Sequence, residues 1–306
     1  MGGMIATVGL TKDYNGARGI RDVTLDVAEG EIFGFLGPNG AGKTTTIRCL
    51  MGLLRPTAGR ATIAGLDCWA EATAVKRLVG YLPGEFACDP SLTGAQIITY
   101  LANLRGGVDQ TYVQRLLERL ELDSTKRFRA NSRGNKQKVG LVQAFMHRPR
   151  LLVLDEPTGG LDPLNQQTFY DLVAEAHAGG ATVFLSSHIL PEVEHICYRV
   201  GIIREGELVA VDQVAALKDL RQRVVEITFP APVAPDRFAS LPGVREATAA
   251  DGGHTVRLTV AGDLREILQV AAANDATNLV AHEPSLEEIF LRYYAPSEPV
   301  GASAER

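Results

Sequence analysis

Short apolar runs alternate with helical periodicity through the larger, N-terminal part of the chain. Four runs have the length and composition of strands that are buried on both faces, as in parallel sheets, and these are Ile32–Leu36, Leu151–Leu154, Thr182–Ser186 and Val200–Arg204. Between the runs, apolar residues recur with the spacing of one helix face, as in the segment that begins near Lys43. Strands that alternate with helices predict an α/β fold around a parallel sheet.

Shorter segments with alternating apolar positions predict antiparallel edge strands. Ile5–Leu10 and Thr24–Val27 have this pattern, and we expect the segment Lys12–Arg18 between them to be a loop. A turn at Pro56–Gly59 leads to a further short strand at Arg60–Ala64. These strands are expected to flank the parallel core.

A mostly helical segment lies between two of the core strands. Apolar residues fall at i, i+3, i+4 and i+7 in Val113, Leu116, Leu117 and Leu120, which predicts an amphipathic helix. Ser132 can cap a second helix that runs to about Met146. We expect a separate helical lobe over about residues 86–148, within a larger domain that spans residues 4–215.

The composition changes after Val214, and a second, smaller domain is predicted at residues 216–295. Strand and helix patterns follow in the order β-α-β-β-α-β, which suggests a small ferredoxin-like α+β domain, with segments Val224–Phe229, Asp236–Leu241, Val244–Thr248, Thr255–Val260, Leu264–Ala273 and Thr277–Ala281. Asp251-Gly252-Gly253 is a hairpin turn signal between the two middle strands. A last helix carries Leu286, Ile289, Phe290 and Tyr293 on one face, and residues 296–306 are expected to be a disordered tail.

A phosphate-binding loop follows the first core strand. Gly37-Pro38-Asn39-Gly40-Ala41-Gly42-Lys43-Thr44 has the pattern Gly-x-x-x-x-Gly-Lys-Thr between a strand and a helix. Its glycines let backbone N–H groups turn toward phosphate oxygens, and the following helix directs its partly positive N-terminus at the same anion. Lys43 can reach the β- and γ-phosphates, and the Thr44 hydroxyl can hold Mg²⁺. The chain is therefore expected to bind a nucleoside triphosphate at this loop. The alternative, a Gly-rich turn that binds nothing, is disfavoured because the full motif lies between a strand and a helix.

Acidic and polar residues follow two other core strands. Asp155 and Glu156 end the strand Leu151–Leu154, where ligands bind in parallel α/β sheets. Asp155 is placed to hold Mg²⁺, and Glu156 is placed to polarise a water that attacks the γ-phosphate. His188 comes after the strand Thr182–Ser186 and could touch the same phosphate. The alternative, two solvated carboxylates and an ordinary histidine, is disfavoured by the phosphate loop.

Ser132 and Gly134 open the helix that precedes the acidic strand. A serine and a glycine at a helix N-terminus can form a further anion site. Taken alone, the pattern is better explained as a helix N-cap.

Composition narrows the range of functions. At 306 residues, with 45% hydrophobic and 22% charged residues, the chain is ordinary for a globular protein. We find no apolar run long enough to span a bilayer, no secretory signal and no myristoylation motif. The cysteines, Cys49, Cys68, Cys88 and Cys197, are scattered and are expected to be reduced cytosolic thiols. A net charge of −5 without a long basic tract argues against nucleic acid as a partner.

The order and spacing of these motifs resemble the ATP-binding subunits of ABC transporters over about residues 4–215. The resemblance implies ATP and Mg²⁺ as cofactors, and a head-to-tail dimer in which each ATP lies between one phosphate loop and the partner's signature segment. It implies three catalytic residues, Lys43, Glu156 and His188, and two Mg²⁺-holding residues, Thr44 and Asp155. The residues implied to contact ATP are Tyr14, through its ring against adenine, Gly37, Pro38, Asn39, Gly40, Ala41, Gly42, Lys43, Thr44, Thr45, Ser132, Gly134 and Asp162.

The C-terminal segment Pro284–Phe290 is similar to the tail of the exporter branch that includes drug and antibiotic efflux ATPases. This weaker resemblance extends to about residue 295. It implies integral-membrane permease subunits as partners, together with a second copy of the chain or a related ATPase subunit. It also implies a cytoplasmic location, peripheral on the inner face of the plasma membrane.

Three positions depart from the family's pattern. The signature, usually Leu-Ser-Gly-Gly-Gln, is Asn131-Ser132-Arg133-Gly134-Asn135, the coupling-loop glutamine is Gly84 with Glu85 beside it, and the D-loop serine is Gly159. Lys43, Asp155, Glu156 and His188 are intact, so we expect retained hydrolysis with altered coupling. Arg133 could place a positive charge near the partner's γ-phosphate.

Two other classes of function remain open at this point. A non-transport ABC ATPase acting on a macromolecular partner is one, although the chain has a single phosphate loop and no zinc-binding cysteines. A GTPase or small-molecule kinase is the other, but Asn135-Lys136-Gln137-Lys138 ends in lysine where a guanine-reading motif has aspartate.

Overall fold

A six-stranded sheet forms the centre of the first of two structural units, which divide between Asp212 and Gln213. The computed structural model describes residues 3–14, 16–218 and 223–282. The strands up to residue 213 are β1 (Ile5–Tyr14), β2 (Ala17–Val27), β3 (Ile32–Leu36), β4 (Ala58–Ile63), β5 (Leu66–Asp67), β6 (Val79–Leu82), β7 (Leu151–Asp155), β8 (Thr182–Ser187), β9 (Arg199–Arg204) and β10 (Glu207–Gln213).

The central sheet has the strand order β10-β9-β3-β8-β7-β6. Strands β9, β3, β8, β7 and β6 run parallel to one another, and every residue of β3, β7 and β8 is buried. In the register, Leu36 lies beside Ser187 and Asp155 lies beside Ser186. The carboxyl ends of three neighbouring strands therefore meet at one edge, which confirms the predicted parallel core.

A second, antiparallel sheet has the order β2-β1-β4-β5. Its existence confirms the predicted antiparallel strands, but two details of the prediction were wrong. The expected loop at Lys12–Arg18 is largely strand, because β1 extends to Tyr14, which pairs with Ala17. Strand β1 is also not an edge strand, since it pairs with β2 on one side and β4 on the other. The apolar pattern did not predict these extensions, because one face of each strand is exposed and carries polar residues.

Helices pack beside the strands of the first unit. In the first unit they are α1 (Lys43–Leu50), α2 (Ala72–Leu78), α3 (Gly94–Leu104), α4 (Gln110–Arg119), α5 (Arg133–Phe145), α6 (Pro163–Ala178) and α7 (Leu190–Ile196), with a 3-10 turn at Phe128–Ala130. A short helix, α8 (Val214–Lys218), belongs to the second unit. Side chains of Thr93, Asp109 and Ser132 cap α3, α4 and α5, respectively. Val113 and Leu116 are buried as their spacing predicts, and Leu120 is buried just past α4.

The second unit is a small α+β fold. Its elements are β11 (Arg223–Thr228), α9 (Asp236–Ala239), β12 (Val244–Ala250), β13 (Thr255–Val260), α10 (Arg265–Ala273) and β14 (Asn278–His282). The strands form an antiparallel sheet in the order β12-β13-β11-β14, and Phe229, Phe238 and Ile267 pack in its own core. The predicted β-α-β-β-α-β order is confirmed. Leu286, Ile289, Phe290, Tyr293 and the tail 296–306 lie outside the described residues.

Across the described ranges, no helix has both the length and the apolar content that crossing a membrane requires. All four cysteines are free, and Cys49, Cys68 and Cys197 are buried. Burial raises the pKa of Cys49 to about 11 and that of Cys68 to about 12. These thiols therefore stay protonated at neutral pH and pack as small apolar groups.

Candidate nucleotide site

The phosphate loop connects β3 to α1 and presents its tip to solvent. Pro38, Asn39 and Gly40 are exposed, whereas Gly37, Ala41 and Lys43 are buried. Gly40 and Gly42 have φ of 79° and 111°, in the region that favours glycine. A Cβ on Gly42 would lie 2.7 Å from Ile20 Cγ2, so the loop also needs glycine for packing. No side chain caps α1, and its first turn has no acidic residue, which leaves that turn available to an anion.

Lys43 lies folded across the loop. Its Nζ donates to the carbonyl oxygens of Gly37 at 2.5 Å and Pro38 at 3.2 Å. The same Nζ is 3.0 Å from Glu156 Oε1, an ion-pair distance without hydrogen-bond geometry. The lysine side chain is only 5% exposed. A buried cation is therefore held between the loop and the acidic strand end.

Asp155 and Thr44 lie together on the other side of the loop. Asp155 is fully buried, and its Oδ2 accepts a hydrogen bond of 2.8 Å from Thr44 Oγ1. Its Oδ1 accepts one of 2.5 Å from Ser186 Oγ. One hydroxyl and one carboxylate are oxygen ligands of the kind that Mg²⁺ uses when substrate phosphates and water complete its shell. These two residues fit that ion.

Glu156 sits at the centre of the candidate site. Its Oε2 is 2.5 Å from His188 Nδ1, and its backbone N–H donates to the carbonyl and hydroxyl oxygens of Ser186. Its φ of 50° is unusual for a residue that is not glycine. Glu156 is 23% exposed and His188 is 48% exposed, so both can meet a bound ligand. The structure thus brings Lys43, Glu156 and His188 into direct contact.

The predicted signature residues lie at the N-terminus of α5. Ser132 is the N-cap, and its Oγ accepts a hydrogen bond of 3.2 Å from the backbone N–H of Asn135. A Cβ on Gly134 would lie 2.4 Å from the carbonyl oxygen of Gly160, so α5 touches the segment after Glu156 here. Gln137, which sequence reasoning missed, donates from Nε2 to the carbonyls of Glu156 at 3.2 Å and Pro157 at 3.0 Å. Its position five residues after Ser132, about one and a half helical turns into α5, was the available signal.

Asp162 and Tyr14 lie apart from these contacts. Asp162 is the exposed N-cap of α6, and hydrogen bonds from the backbone and side chain of Asn165 lower its pKa. Tyr14 ends β1 and is 39% exposed, and Lys12 Nζ lies 5.6 Å from the centroid of its ring. A cavity of about 340 Å³ beside this hairpin is lined in part by Ile20, the residue that packs on Gly42. Thr45, in the first turn of α1, is partly buried.

Gly84 lies next to the acidic strand end. A Cβ on Gly84 would be 3.2 Å from Asp155 Oδ2, so the position is tight. Gly84 and Glu85 line a cavity of about 510 Å³ together with Arg133 and Gln137. Gly84 and Arg133, two of the positions that depart from the family's usual pattern, therefore line the same cavity.

Glu192 was not singled out from the sequence, yet it is buried beneath the site. It is 2% exposed, and its Oε2 accepts a hydrogen bond of 2.6 Å from Ser187 Oγ. Thr158, just after Glu156, also donates to this carboxyl. Glu192 thus links the segments that carry His188 and Glu156. Burial, partly offset by these hydrogen bonds, raises the pKa of Glu192 to about 7.

Replacing Glu192 with glutamine should remove part of the pH dependence of stability. Folding raises the pKa of Glu192 to about 7, so the protonated carboxyl favours the folded state. Its contribution to the free energy of unfolding is fully present below the pKa of Glu192 in the unfolded chain, and it is lost as pH rises through about 7. Thermal unfolding midpoints between about pH 5 and pH 8 should fall more steeply for the wild type than for the variant. Glu121→Gln, at an exposed site, is the control and should behave as the wild type. Parallel curves for wild type and Glu192→Gln would contradict this result.

Replacing Asn131 with leucine should stabilise the protein. Asn131 is 7% exposed, and neither its amide nitrogen nor its amide oxygen has a partner within the described part of the chain. An unsatisfied buried polar group costs about 1–3 kcal/mol, and leucine is close in shape. The free energy of unfolding, measured by urea denaturation, should rise by about 1–3 kcal/mol. Asn135→Leu, at a partly exposed position in the first turn of α5, should give no such gain. An unchanged or lower value for Asn131→Leu would refute the assignment.

Together, the phosphate loop, the acidic strand end and the histidine define a nucleotide-hydrolysis site on a parallel sheet. A family profile described as "ABC transporter" matches residues 20–159, and one described as "ATP-binding protein DrrA1-3-like, C-terminal domain" matches residues 214–294. The bacitracin transport ATP-binding protein BcrA of Enterococcus faecalis is 36% identical over 229 residues, 73% of this chain and 73% of that protein. An uncharacterized ABC transporter ATP-binding protein of Alkalihalophilus pseudofirmus is 34% identical over 265 residues, 84% of this chain and 97% of the relative.

Solved structures agree with these relatives. An ATP-binding subunit of an ABC transporter superposes with a TM-score of 0.65 at 30% identity, over 70% of this chain and 92% of that one. A dimeric bacterial ABC transporter cassette, at 22% identity, has a TM-score of 0.63 over 69% of this chain and 99% of its own, and so shares the fold. The chain belongs to the ABC transporter family, as one of its ATP-binding ATPase subunits.

Proposed function

We propose that this subunit drives export through separate integral-membrane subunits, from the inner face of the plasma membrane, by hydrolysing ATP in a head-to-tail dimer. The contact of Lys43, Glu156 and His188 beside the phosphate loop carries the proposal for hydrolysis. The bacitracin transport relatives and the matching C-terminal profile support the exporter branch. The partner in the dimer is a second copy or a related ATPase subunit.

Each residue has a role that its contacts support. Lys43 and the backbone of Gly37–Thr45 bind the phosphates, and Tyr14 stacks against the base at the hairpin. Glu156 takes a proton from the attacking water, while His188, hydrogen-bonded to it, holds the carboxylate in place. Thr44 and Asp155 would hold Mg²⁺, which when bound neutralises charge on the β- and γ-phosphates.

A partner subunit completes the site. Ser132 and Gly134 lie at the N-terminus of α5, where backbone N–H groups favour an anion. Asp162 follows Glu156 by six residues in the chain and caps the N-terminus of α6. In a head-to-tail dimer, these residues close over the triphosphate bound by the other subunit. Hydrolysis then requires association, which couples it to movement of the membrane subunits.

The proposal is tested by co-expressing the chain with candidate integral-membrane proteins encoded by neighbouring genes and purifying the complex. ATP turnover that requires Mg²⁺, rises with the membrane subunits and accompanies ATP-dependent uptake of cargo into inverted vesicles would support it. Asp155→Asn, which weakens the proposed Mg²⁺ site, is the negative control. This variant should lose both Mg²⁺-dependent ATP turnover and uptake of cargo. A complex that does not assemble, or turnover without any uptake across a panel of antibiotic peptides and drugs, would count against the export role.

A further inference from the structure

The buried carboxyl of Glu192 contacts both chain segments that carry His188 and Glu156. Its Oε2 accepts a hydrogen bond of 2.6 Å from the hydroxyl of Ser187, the residue directly before His188. Thr158, two residues after Glu156, also donates to this carboxyl. One acidic side chain therefore joins the turn that presents the histidine to the turn that presents the candidate base.

Ser187 shapes the backbone on which His188 lies. Its Oγ accepts a hydrogen bond of 2.9 Å from the N–H of Ile189, and this bond closes a turn around His188. The hydroxyl has one proton, which has two possible acceptors, Glu192 Oε2 at 2.6 Å and the carbonyl oxygen of Ile189 at 3.4 Å. The shorter bond fixes the hydroxyl toward Glu192. Without an acceptor at position 192, the proton would turn to the Ile189 carbonyl and the turn would change.

The His188 ring depends on this turn for its orientation. The side chain is 48% exposed, and in the described ranges its hydrogen-bond partner is Glu156 Oε2, 2.5 Å from Nδ1. Glu156 itself has a φ of 50°, a conformation that surrounding contacts must hold. The two partners of this hydrogen bond are therefore placed by the turns on which they lie, and Glu192 contacts both turns.

Glu192 acts from a rigid support. Helix α7 packs on β3 so closely that a Cβ on Gly34 would lie 2.8 Å from Val193 Cγ1 and 3.1 Å from Cys197 Sγ. Val193, directly after Glu192, is fully buried. The carboxyl is thus held in a fixed relation to the strand that leads into the phosphate loop.

Packing alone does not explain a carboxyl at this position. Burial raises the pKa of Glu192 to about 7 because the charged form loses its hydration, and the nearby charge of Glu156 raises it further. An apolar side chain of similar volume would avoid this penalty on folding. What such a side chain could not do is accept the hydrogen bond from Ser187.

We propose that Glu192 is a positioning residue for ATP hydrolysis, which acts through Ser187 and Thr158 to hold His188 against Glu156. The reacting atoms do not touch Glu192, so its effect passes through the histidine and the base. This inference rests on the proposed roles of Glu156 and His188 in hydrolysis.

The test compares Glu192→Leu with Glu192→Gln in the full chain, in complex with its membrane subunits. Leucine fills the space but cannot accept the Ser187 proton, so kcat for ATP hydrolysis should fall about 10–100-fold while KM for ATP stays within about twofold. Glutamine can accept that proton through its amide oxygen and should keep kcat within about threefold of the wild type. Space filling alone would not separate the two variants in this way.

A double-mutant cycle shows whether Glu192 acts through the base. In a Glu156→Gln background, Glu192→Leu should change the residual turnover by less than about twofold, because the proton acceptor is already absent. Losses that multiply would show that Glu192 acts elsewhere, and they would overturn the proposal.

Two further variants complete the comparison. Glu194→Leu makes the same change on α7 at a partly exposed position and should leave kcat within about twofold of the wild type. Ser187→Ala removes the hydrogen bond from its donor side and should lower kcat about tenfold or more. It decides the question if the thermal midpoint shows that Glu192→Leu does not fold.

The outcomes separate this inference from the proposed function. A folded Glu192→Leu variant with kcat within about threefold of the wild type overturns the positioning role, and so does a glutamine variant as slow as the leucine variant. ATP turnover by the wild type without uptake of cargo overturns the export proposal and leaves the role of Glu192 standing. Undiminished turnover by Glu156→Gln overturns the assigned base, and the role of Glu192 with it.

Discussion

Replacing Glu156 with glutamine should lower ATP turnover by about 10²–10⁴-fold, the usual contribution of a general base. The amide keeps the size of the side chain and can still meet Lys43 and His188, which lie 3.0 and 2.5 Å from the two carboxylate oxygens. It cannot take a proton from water. ATP should therefore still bind, and ATP-bound dimers should accumulate, as measured by steady-state turnover, nucleotide binding and light scattering.

Glu175→Gln is the matched control for this change. Glu175 pairs with Arg119 and Arg115 on the surface of the same unit, so its loss should alter turnover by less than about twofold. Turnover of Glu156→Gln within about threefold of the wild type would show that another group accepts the proton. A loss of ATP binding in the same variant would instead assign Glu156 a role in holding the nucleotide.

Replacing Lys43 with methionine should weaken ATP binding by about 10–100-fold. Hydrogen bonds to charged groups contribute about 1.5–3 kcal/mol, and about 1.4 kcal/mol corresponds to a factor of ten. Methionine keeps the aliphatic volume of a side chain that is 5% exposed, but it leaves Glu156 without its cation. The phosphates and Glu156 would then repel each other directly, and ATP titration by calorimetry should show the loss.

Lys126→Met removes a lysine whose ion pair with Asp123 is exposed, and this variant should bind ATP as the wild type does. The thermal midpoint of Lys43→Met must be measured alongside, because the change also alters a buried ion pair. A variant that remains folded and binds ATP normally would exclude Lys43 from phosphate binding.

Much of the fold was predictable because its core strands are buried on both faces. Ile32–Leu36 and Leu151–Leu154 are continuous apolar runs, and the structure buries every one of these residues. Strands β1 and β2 were predicted too short because one face of each is exposed and carries polar residues, so periodicity fades where the strand continues. The β-α-β-β-α-β order of the second unit could be predicted because turn residues, including Asp251-Gly252-Gly253, separate its elements.

The candidate site was predictable where chemistry demands a residue type at a fixed spacing. The phosphate loop, Asp155, Glu156 and His188 were identified in this way, since each follows a recognisable strand. Gln137 and Glu192 were missed because their significance depends on which segments come together in space. A glutamine inside a helix and a glutamate in a short helix have no distinctive spacing, yet one holds the Glu156 carbonyl and the other receives the Ser187 hydroxyl.

The amino-acid sequence by itself determined the class of protein, because a phosphate loop, an acidic strand end and their order suffice to specify nucleotide chemistry. It also determined that Arg133, Gly84 and Gly159 are unusual. Only the tertiary structure decided that Arg133 and Gly159 are neighbours, and that Gly84 lies against Asp155. The physical reason is that packing depends on distances between segments far apart in the chain, and local patterns of polarity do not encode those distances.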